Sequence, residues 1–343
     1  MALPRSTYVR VGQEGVYHCF SRCVRRAFLY GFDILTRRDF SHRKAWLVER
    51  LRYLASIFAI EVCAYAVMEN HYHAILRTRP DLVARWSDRE VATRWLTLFP
   101  QHRDIQGTPI PPAEKEISAL VDCPERIAQL RRRLCNLSWF MGRLNEFIAR
   151  AANKEDKVKG RFWESRYKCQ VLLDDAAIAA CMVYVDLNPI RSGLAGSPEE
   201  SEFTSIQERI RLWQKQTLTT PSVPADETQA GDRASISADW LCPIQSDSGR
   251  RGILKMTAAE YIDLVDKSAR MTRPDKRGAM DAGILPILLR IGVKPEVWNE
   301  TVSHFGSRFC LAAGVLSNLR NFADQLGIRW LKGVTAAGAA FAS

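Results

Sequence analysis

Two histidines flank one bulky residue in NHYHAIL, residues 70–76. On a strand, residues two apart share a face, so His71 and His73 point one way and Tyr72 the other. Two imidazoles on one face can take adjacent positions around a divalent cation and leave most of its coordination shell open. An open shell suits a cation that must also hold a substrate oxygen, and phosphate is the obvious source of one. The bland alternative is one surface histidine and one packed histidine. Placement just after a hairpin turn, in a basic chain, favours the ligand pair. A third protein ligand and a nucleophile should then lie nearby.

The second stretch that could carry chemistry is VYVDLNPIRSG, residues 183–193. Tyr184 and Asn188 are four apart, which stacks them on one face of a helix. Asn188 could offer an amide oxygen to the cation while Tyr184 presents a phenol to the same phosphate. The alternative is a core tyrosine and a C-terminal cap before Pro189. The third stretch is GRFWESRYK, residues 160–168, where basic residues alternate with aromatics. Arg161, Trp163, Arg166, Tyr167 and Lys168 are candidates for nucleic-acid contacts, because unstacked bases need a platform and phosphates need cations. Arg131, Arg132 and Arg133 are a phosphate track or a solvated helix face. Phe162 and Trp163 could equally be core.

The charge distribution favours a polyanionic partner. The formal net charge is +11. Residues 126–168 hold twelve Lys or Arg against four Asp or Glu, so most of the excess sits in one segment. No apolar run is long enough to span a membrane, and MALPRSTYVRVGQEG has no apolar core of a secretory signal. The nine cysteines form no CxxC pair and often sit in apolar contexts. They read as small core residues of a cytoplasmic protein, not as a disulfide frame or zinc site.

The elements that must position these residues follow from periodicity. GVYHCFSRC (15–23) reads as a strand. Residues 41–59 read as a helix, with Leu47, Leu51, Leu54 and Phe58 at helical spacing. Two apolar runs, 60–68 and 71–78, are separated only by Glu69 and Asn70, a tight hairpin. Residues 80–124 read as an insertion, opened by a capping box at Ser87 and Glu90. One long helix is expected over 126–152, then a strand over 165–173, then a helix capped by Asp174 and closed by Pro189 and Gly193. This β-α-β-β-α-β order predicts an α+β fold: a ferredoxin-like antiparallel sheet with helices on one face. That domain is expected over 1–214. Residues 215–252 read as a linker rich in Thr, Ser, Pro, Ala and Asp, and 253–343 as a small all-helical domain. Arg273, Lys276 and Arg277 suit that domain to gripping a polyanion; its Trp298, Phe305, Phe309 and Trp330 could be core or a homodimer interface. His304 reads as structural.

Taken together, YHCFSR, NHYHAIL, GRFWESRYK and YVDLNPIRSG, in that order, resemble the REP-associated tyrosine transposase branch of the single-tyrosine HUH transposases. The resemblance spans roughly residues 15–210. It implies a ferredoxin-like fold, with His71 and His73 binding Mg²⁺ or Mn²⁺ and Asn188 at the place of a further polar ligand. It implies Tyr184 as nucleophile on single-stranded or hairpin DNA, such as palindromic repeats, through a 5′-phosphotyrosine. The family layout places the nucleophile on a helix, which favours Tyr184 over its rival Tyr167. The long insertion at 80–124 and the C-terminal helices are less usual for the family. A non-catalytic, domesticated regulator that binds repeated palindromes, or a metal-dependent RNA endonuclease, remain alternatives.

Overall fold

A computed structural model describes residues 3–24, 31–33, 37–218, 240–247, 249–272 and 282–342. Arg273, Lys276 and Arg277, and most of the expected linker, lie outside the described residues.

The main sheet is built around the first strand, β1 (Gly15–Arg22). Helix α1 (His42–Ile57) leads to β2 (Ile60–Val67), which turns tightly into β3 (His71–Thr78). The hairpin closes as read from the sequence: Met68 N–H donates to the His71 carbonyl at 2.9 Å, across Glu69 and Asn70. After the insertion, with α2 (Asp88–Leu98), come α3 (Pro124–Leu134) and α4 (Leu137–Glu155). Strand β4 (Lys168–Leu172), α5 (Asp175–Asp186), α6 (Ser205–Leu218), α7 (Ala258–Thr272), α8 (Trp298–Arg308) and β5 (Ala312–Ala313) follow. The five strands run in the order β2-β3-β1-β4-β5.

Two local expectations are met by hydrogen bonds. Ser87 Oγ accepts from Glu90 N–H, and Asp174 Oδ1 from Ala177 N–H. Thr257 and Glu260 likewise cap each other reciprocally at the start of α7. These are contacts over three residues or fewer, which a local sequence can specify.

Three expectations about arrangement are corrected. The region 126–152 is two helices, not one. Cys135 leaves helical geometry (φ −111°, ψ 12°), and the Asn136 side chain caps α4 by accepting from Ser138 and Trp139 N–H. The sheet is mixed, because β5 pairs parallel to β4 while the other three pairings are antiparallel. The C-terminal segment is therefore not all helical: it supplies that strand.

The sheet is also covered on both faces, not one. Tyr72, on the face opposite to His71 and His73, donates through its hydroxyl to Asn145 of α4 at 2.7 Å, and α1 packs on α4. On the histidine face, α5 packs on the sheet and α7 and α8 pack on α5. Burial on both sides explains why β3 carries no alternating exposed polar row: Tyr72 to Thr78 are all buried. Part of the expected linker is packed too. Cys242 N–H donates to the Val62 carbonyl at 2.8 Å, and Trp240 lies 5.5 Å from the Tyr65 ring.

Candidate active site

The histidine face of the sheet is assembled by register. Phe20 of β1 lies opposite His73 of β3, Arg22 opposite His71, and on the other side His18 lies opposite Gln170 of β4 and Phe20 opposite Lys168. With a period of two, His18, Phe20 and Arg22 therefore share a face with His71, His73, Lys168 and Gln170. The rings of His71 and His73 stand 5.0 Å apart, nearly perpendicular.

A third histidine completes the cluster. His18 Nε2 lies 2.8 Å from His73 Nδ1, and His18 Nδ1 lies 3.3 Å from Gln170 Oε1. His71 Nδ1 lies 2.7 Å from Asn70 Oδ1. Burial holds these imidazoles neutral. It pushes His18 down to about 4, with the Gln170 bond opposing; it pushes His71 down to about 4, with Arg22 adding to it. His73 lies well below the usual range through burial first, then His18, His71 and Arg191. A neutral imidazole keeps a lone pair, which is what a metal or a hydrogen-bond donor needs.

Tyr184, near the end of α5, reaches this cluster from above the sheet. Its ring centroid is 5.7 Å from that of His73 and 6.0 Å from that of His18, edge-on to both. The structure thus brings together His71, His73 and Tyr184, which lie more than a hundred residues apart in the chain. Burial raises the phenol above its ordinary value, and the Arg191 guanidinium opposes that shift. Arg191 stacks on the phenol ring at 4.1 Å. Gly306 of α8 stands at the hydroxyl: a Cβ there would come within 2.7 Å of the Tyr184 oxygen.

Asn188 follows Tyr184 by four residues. The chain tightens at Leu187 (φ −84°, ψ 0°), and Asn188 begins a new short helical turn, Asn188–Arg191. Its carboxamide nitrogen is buried without a hydrogen-bond partner. Gln170 hydrogen-bonds His18 and Asn70 hydrogen-bonds His71, while Arg191 lies against the Tyr184 ring.

The basic and aromatic candidates divide. Arg161, Arg166 and Lys168 are exposed. Lys168 lies on the histidine face, 5.6 Å from the Phe20 ring. Tyr167 is turned into the core instead of serving as a stacking platform: it is 5% exposed, and its hydroxyl lies 3.0 Å from Ser138 Oγ. Burial raises its phenol, as it does that of Tyr184. Trp163 is half-buried, donating to the Asn145 carbonyl at 2.9 Å and packed edge-on to Tyr72. Arg131 is occupied with the Trp86 carbonyl and Asp88, both at 2.7 Å, whereas Arg132 is exposed. Arg133 stacks on Trp139 at 4.6 Å. His304 is exposed on α8, away from any role in the cluster that the described contacts show.

His18, Gln170, Arg22 and Arg191 were not singled out from the sequence. His18 lies in the quoted strand segment and Arg191 in the quoted helix segment, so the local signal was present. Their partners are set by strand order, which no local spacing carries.

The donor set fits a divalent cation only as a pair. His71 and His73 each have Nδ1 engaged, leaving Nε2 for a ligand, while His18 faces His73. Among the described residues, no group of three or more His, Cys, Asp or Glu is arranged to hold a metal.

No family model and no curated protein matches this chain. Among solved structures, one similar chain is a REP-associated tyrosine transposase bound to a REP hairpin. The two are 12% identical with a TM-score of 0.33, over 68% of this chain and 98% of that one. A likeness this loose says nothing about the chemistry of this chain.

Proposed function

We propose that this protein is a DNA endonuclease and transposase of the single-tyrosine HUH type, acting on single-stranded or hairpin DNA. The observation that carries the reading is the meeting of Tyr184 with the imidazoles of His73 and His18 on one sheet face. The strand order, with β1 central between β3 and β4, supports this reading by setting the three histidines and Gln170 on one face.

In this reading the Tyr184 oxygen attacks phosphorus in a DNA phosphodiester. The bond to the 3′ oxygen breaks, a 3′-hydroxyl leaves with a proton, and the 5′ phosphate stays joined to Tyr184. Arg191, stacked on the ring, offsets part of the cost of burying a phenolate. Lys168 and Arg22 flank the histidines and would hold the phosphate backbone, with Arg161, Arg166 and Arg132 as outer contacts. His71 and His73 would hold Mg²⁺ or Mn²⁺, whose chemistry when bound is to draw charge from a phosphoryl oxygen. A 3′-hydroxyl of another strand can later attack the phosphotyrosine, so strand transfer needs no external energy source.

The test is a labelled hairpin oligonucleotide incubated with the full chain and Mn²⁺. A covalent adduct that resists denaturation and disappears in Tyr184→Phe is the expected result. An adduct that persists in Tyr184→Phe removes Tyr184 from the role. The alternative reading is a nucleic-acid-binding module without catalysis. Tight hairpin binding with no adduct supports that module, and cleavage of a matched RNA hairpin alone supports an RNA endonuclease.

A further inference from the structure

The buried contacts of His18 do more than fill space. The Gln170 Oε1 atom can only accept, so the His18 Nδ1 that faces it at 3.3 Å carries the hydrogen. Buried with no acid against it, His18 is neutral and has one N–H, so its Nε2 is an acceptor. The His73 Nδ1 atom, 2.8 Å away, must then be the donor. His73 in turn is neutral, which leaves its Nε2 as a bare lone pair. His71 reaches the same state by a shorter route: its Nδ1 faces Asn70 Oδ1 at 2.7 Å.

We propose that His18 and Gln170 are positioning residues, a two-link relay that fixes His73 in the Nδ1–H tautomer and presents its Nε2 lone pair to an electron-pair acceptor, a divalent cation. The inference deepens the ligand-pair reading of His71 and His73 and rests on it. The geometry is suited to the task. His18 is 2% exposed and Gln170 3%, so water does not compete for either bond. The rings of His18 and His73 lie at 22° to each other with centroids 5.0 Å apart, and the ring of Phe20 packs on both, 5.3 Å and 5.5 Å away. The relay therefore sets ring orientation as well as tautomer. Its three residues come from different strands, so the relay also checks that β3, β1 and β4 are in register. Hydrogen-bond partners behind a ligating histidine set its tautomer and basicity, and losing one typically costs about 10–100-fold in metal affinity.

The experiment uses the full chain with ¹⁵N-labelled histidine and no DNA. Long-range ¹H–¹⁵N correlation at neutral pH distinguishes a protonated ring nitrogen from a bare one, and a His73→Gln spectrum assigns the signals. His73 is expected with Nδ1 protonated and Nε2 bare. In Gln170→Leu the His73 Nε2–H form should become populated, and Mn²⁺ affinity, read by electron paramagnetic resonance titration, should fall about 10–100-fold. Gln170→Asn keeps a neutral amide acceptor and should keep more of the parent tautomer than Gln170→Leu, which a merely space-filling role would not require. Near-ultraviolet circular dichroism identifies any variant that has lost its packing, and the Asn variant then carries the comparison. Finding His73 with Nε2 protonated in the parent overturns the relay, as does an unchanged tautomer in a folded Gln170→Leu. Absence of Mn²⁺ binding by the parent chain counts against the ligand pair, while the tautomer still decides the relay. A failed Tyr184 adduct test leaves both readouts intact.

Discussion

The guanidinium of Arg191 lies flat over the ring of Tyr184, its central carbon 4.1 Å from the ring centroid. Its nitrogens also donate to the Tyr184 carbonyl at 3.0 Å and the Val302 carbonyl at 2.7 Å. One side chain thus orients the phenol, supplies the cation that opposes the raised phenol pKa, and ties α5 to α8. Removing the charge in Arg191→Leu should move the pH profile of adduct formation to higher pH by roughly one unit, since a neighbouring opposite charge is worth about 1–3 units. Arg191→Lys should recover part of that shift but not the rate, because an ammonium does not stack or fork. Adduct yield against pH for the three proteins checks both.

Gly306→Ala should slow adduct formation while leaving the fold in place. The new Cβ would sit 2.7 Å from the Tyr184 oxygen, so the phenol must swing. Gly306 is itself exposed on α8, which makes a global loss of stability unexpected. A misplaced nucleophile of this kind costs on the order of 10–100-fold in rate. Single-turnover adduct kinetics beside a thermal melt separate the two effects; a normal rate would show that the hydroxyl has room to spare.

Asp186 is fully buried two residues after Tyr184, with Ser205 Oγ at 2.6 Å, Tyr261 hydroxyl at 2.6 Å and Ile206 N–H at 3.1 Å. Burial raises its carboxyl to about 6, against the lowering effect of these donors. Between about 4 and 6 the folded chain holds a proton that the unfolded chain has released. The contribution of Asp186 is therefore most favourable in acid, falls as pH rises through that window by roughly 2–3 kcal/mol, and is flat above it. His18 and His71 run the other way: their neutral burial stabilises above about 6.5 and is lost as pH falls toward 4. Urea midpoints of the parent and Asp186→Asn at several pH values isolate the first effect, because the histidine contribution cancels in the difference. A difference independent of pH would contradict it.

Arg43→Met should cost about 3–5 kcal/mol of stability, the usual penalty for breaking a buried ion pair from one side. Arg43 is 0% exposed; its Nε meets Glu155 and its Nη2 meets Asp156, both at 2.6 Å, with the Phe40 ring 4.3 Å away. It joins the start of α1 to the end of α4. The triple change of Arg43, Glu155 and Asp156 to apolar residues should recover part of the loss, since the stranded carboxylates are then gone. Denaturant midpoints of both variants test this.

The sequence by itself determined what lies within a few residues. A strand period of two put His71 and His73 on one face, two residues between apolar runs made the hairpin, and the capping residues opened α2, α5 and α7. The limits of that reach show at Asn136, a cap inside an apolar stripe that periodicity read as one continuous helix. They show again at Asn188: the chain tightens at Leu187 between it and Tyr184, so a spacing of four does not by itself set their common face. Tertiary structure alone decided the partners. Placing β1 between β3 and β4 sets His18 against His73 and Gln170, and packing α8 on α5 sets Gly306 against Tyr184. Those pairings join residues 55 to 152 positions apart for the relay, and their register arises from burying both sheet faces at once. No local spacing encodes that choice, because it is the free energy of the whole packed sheet that selects it.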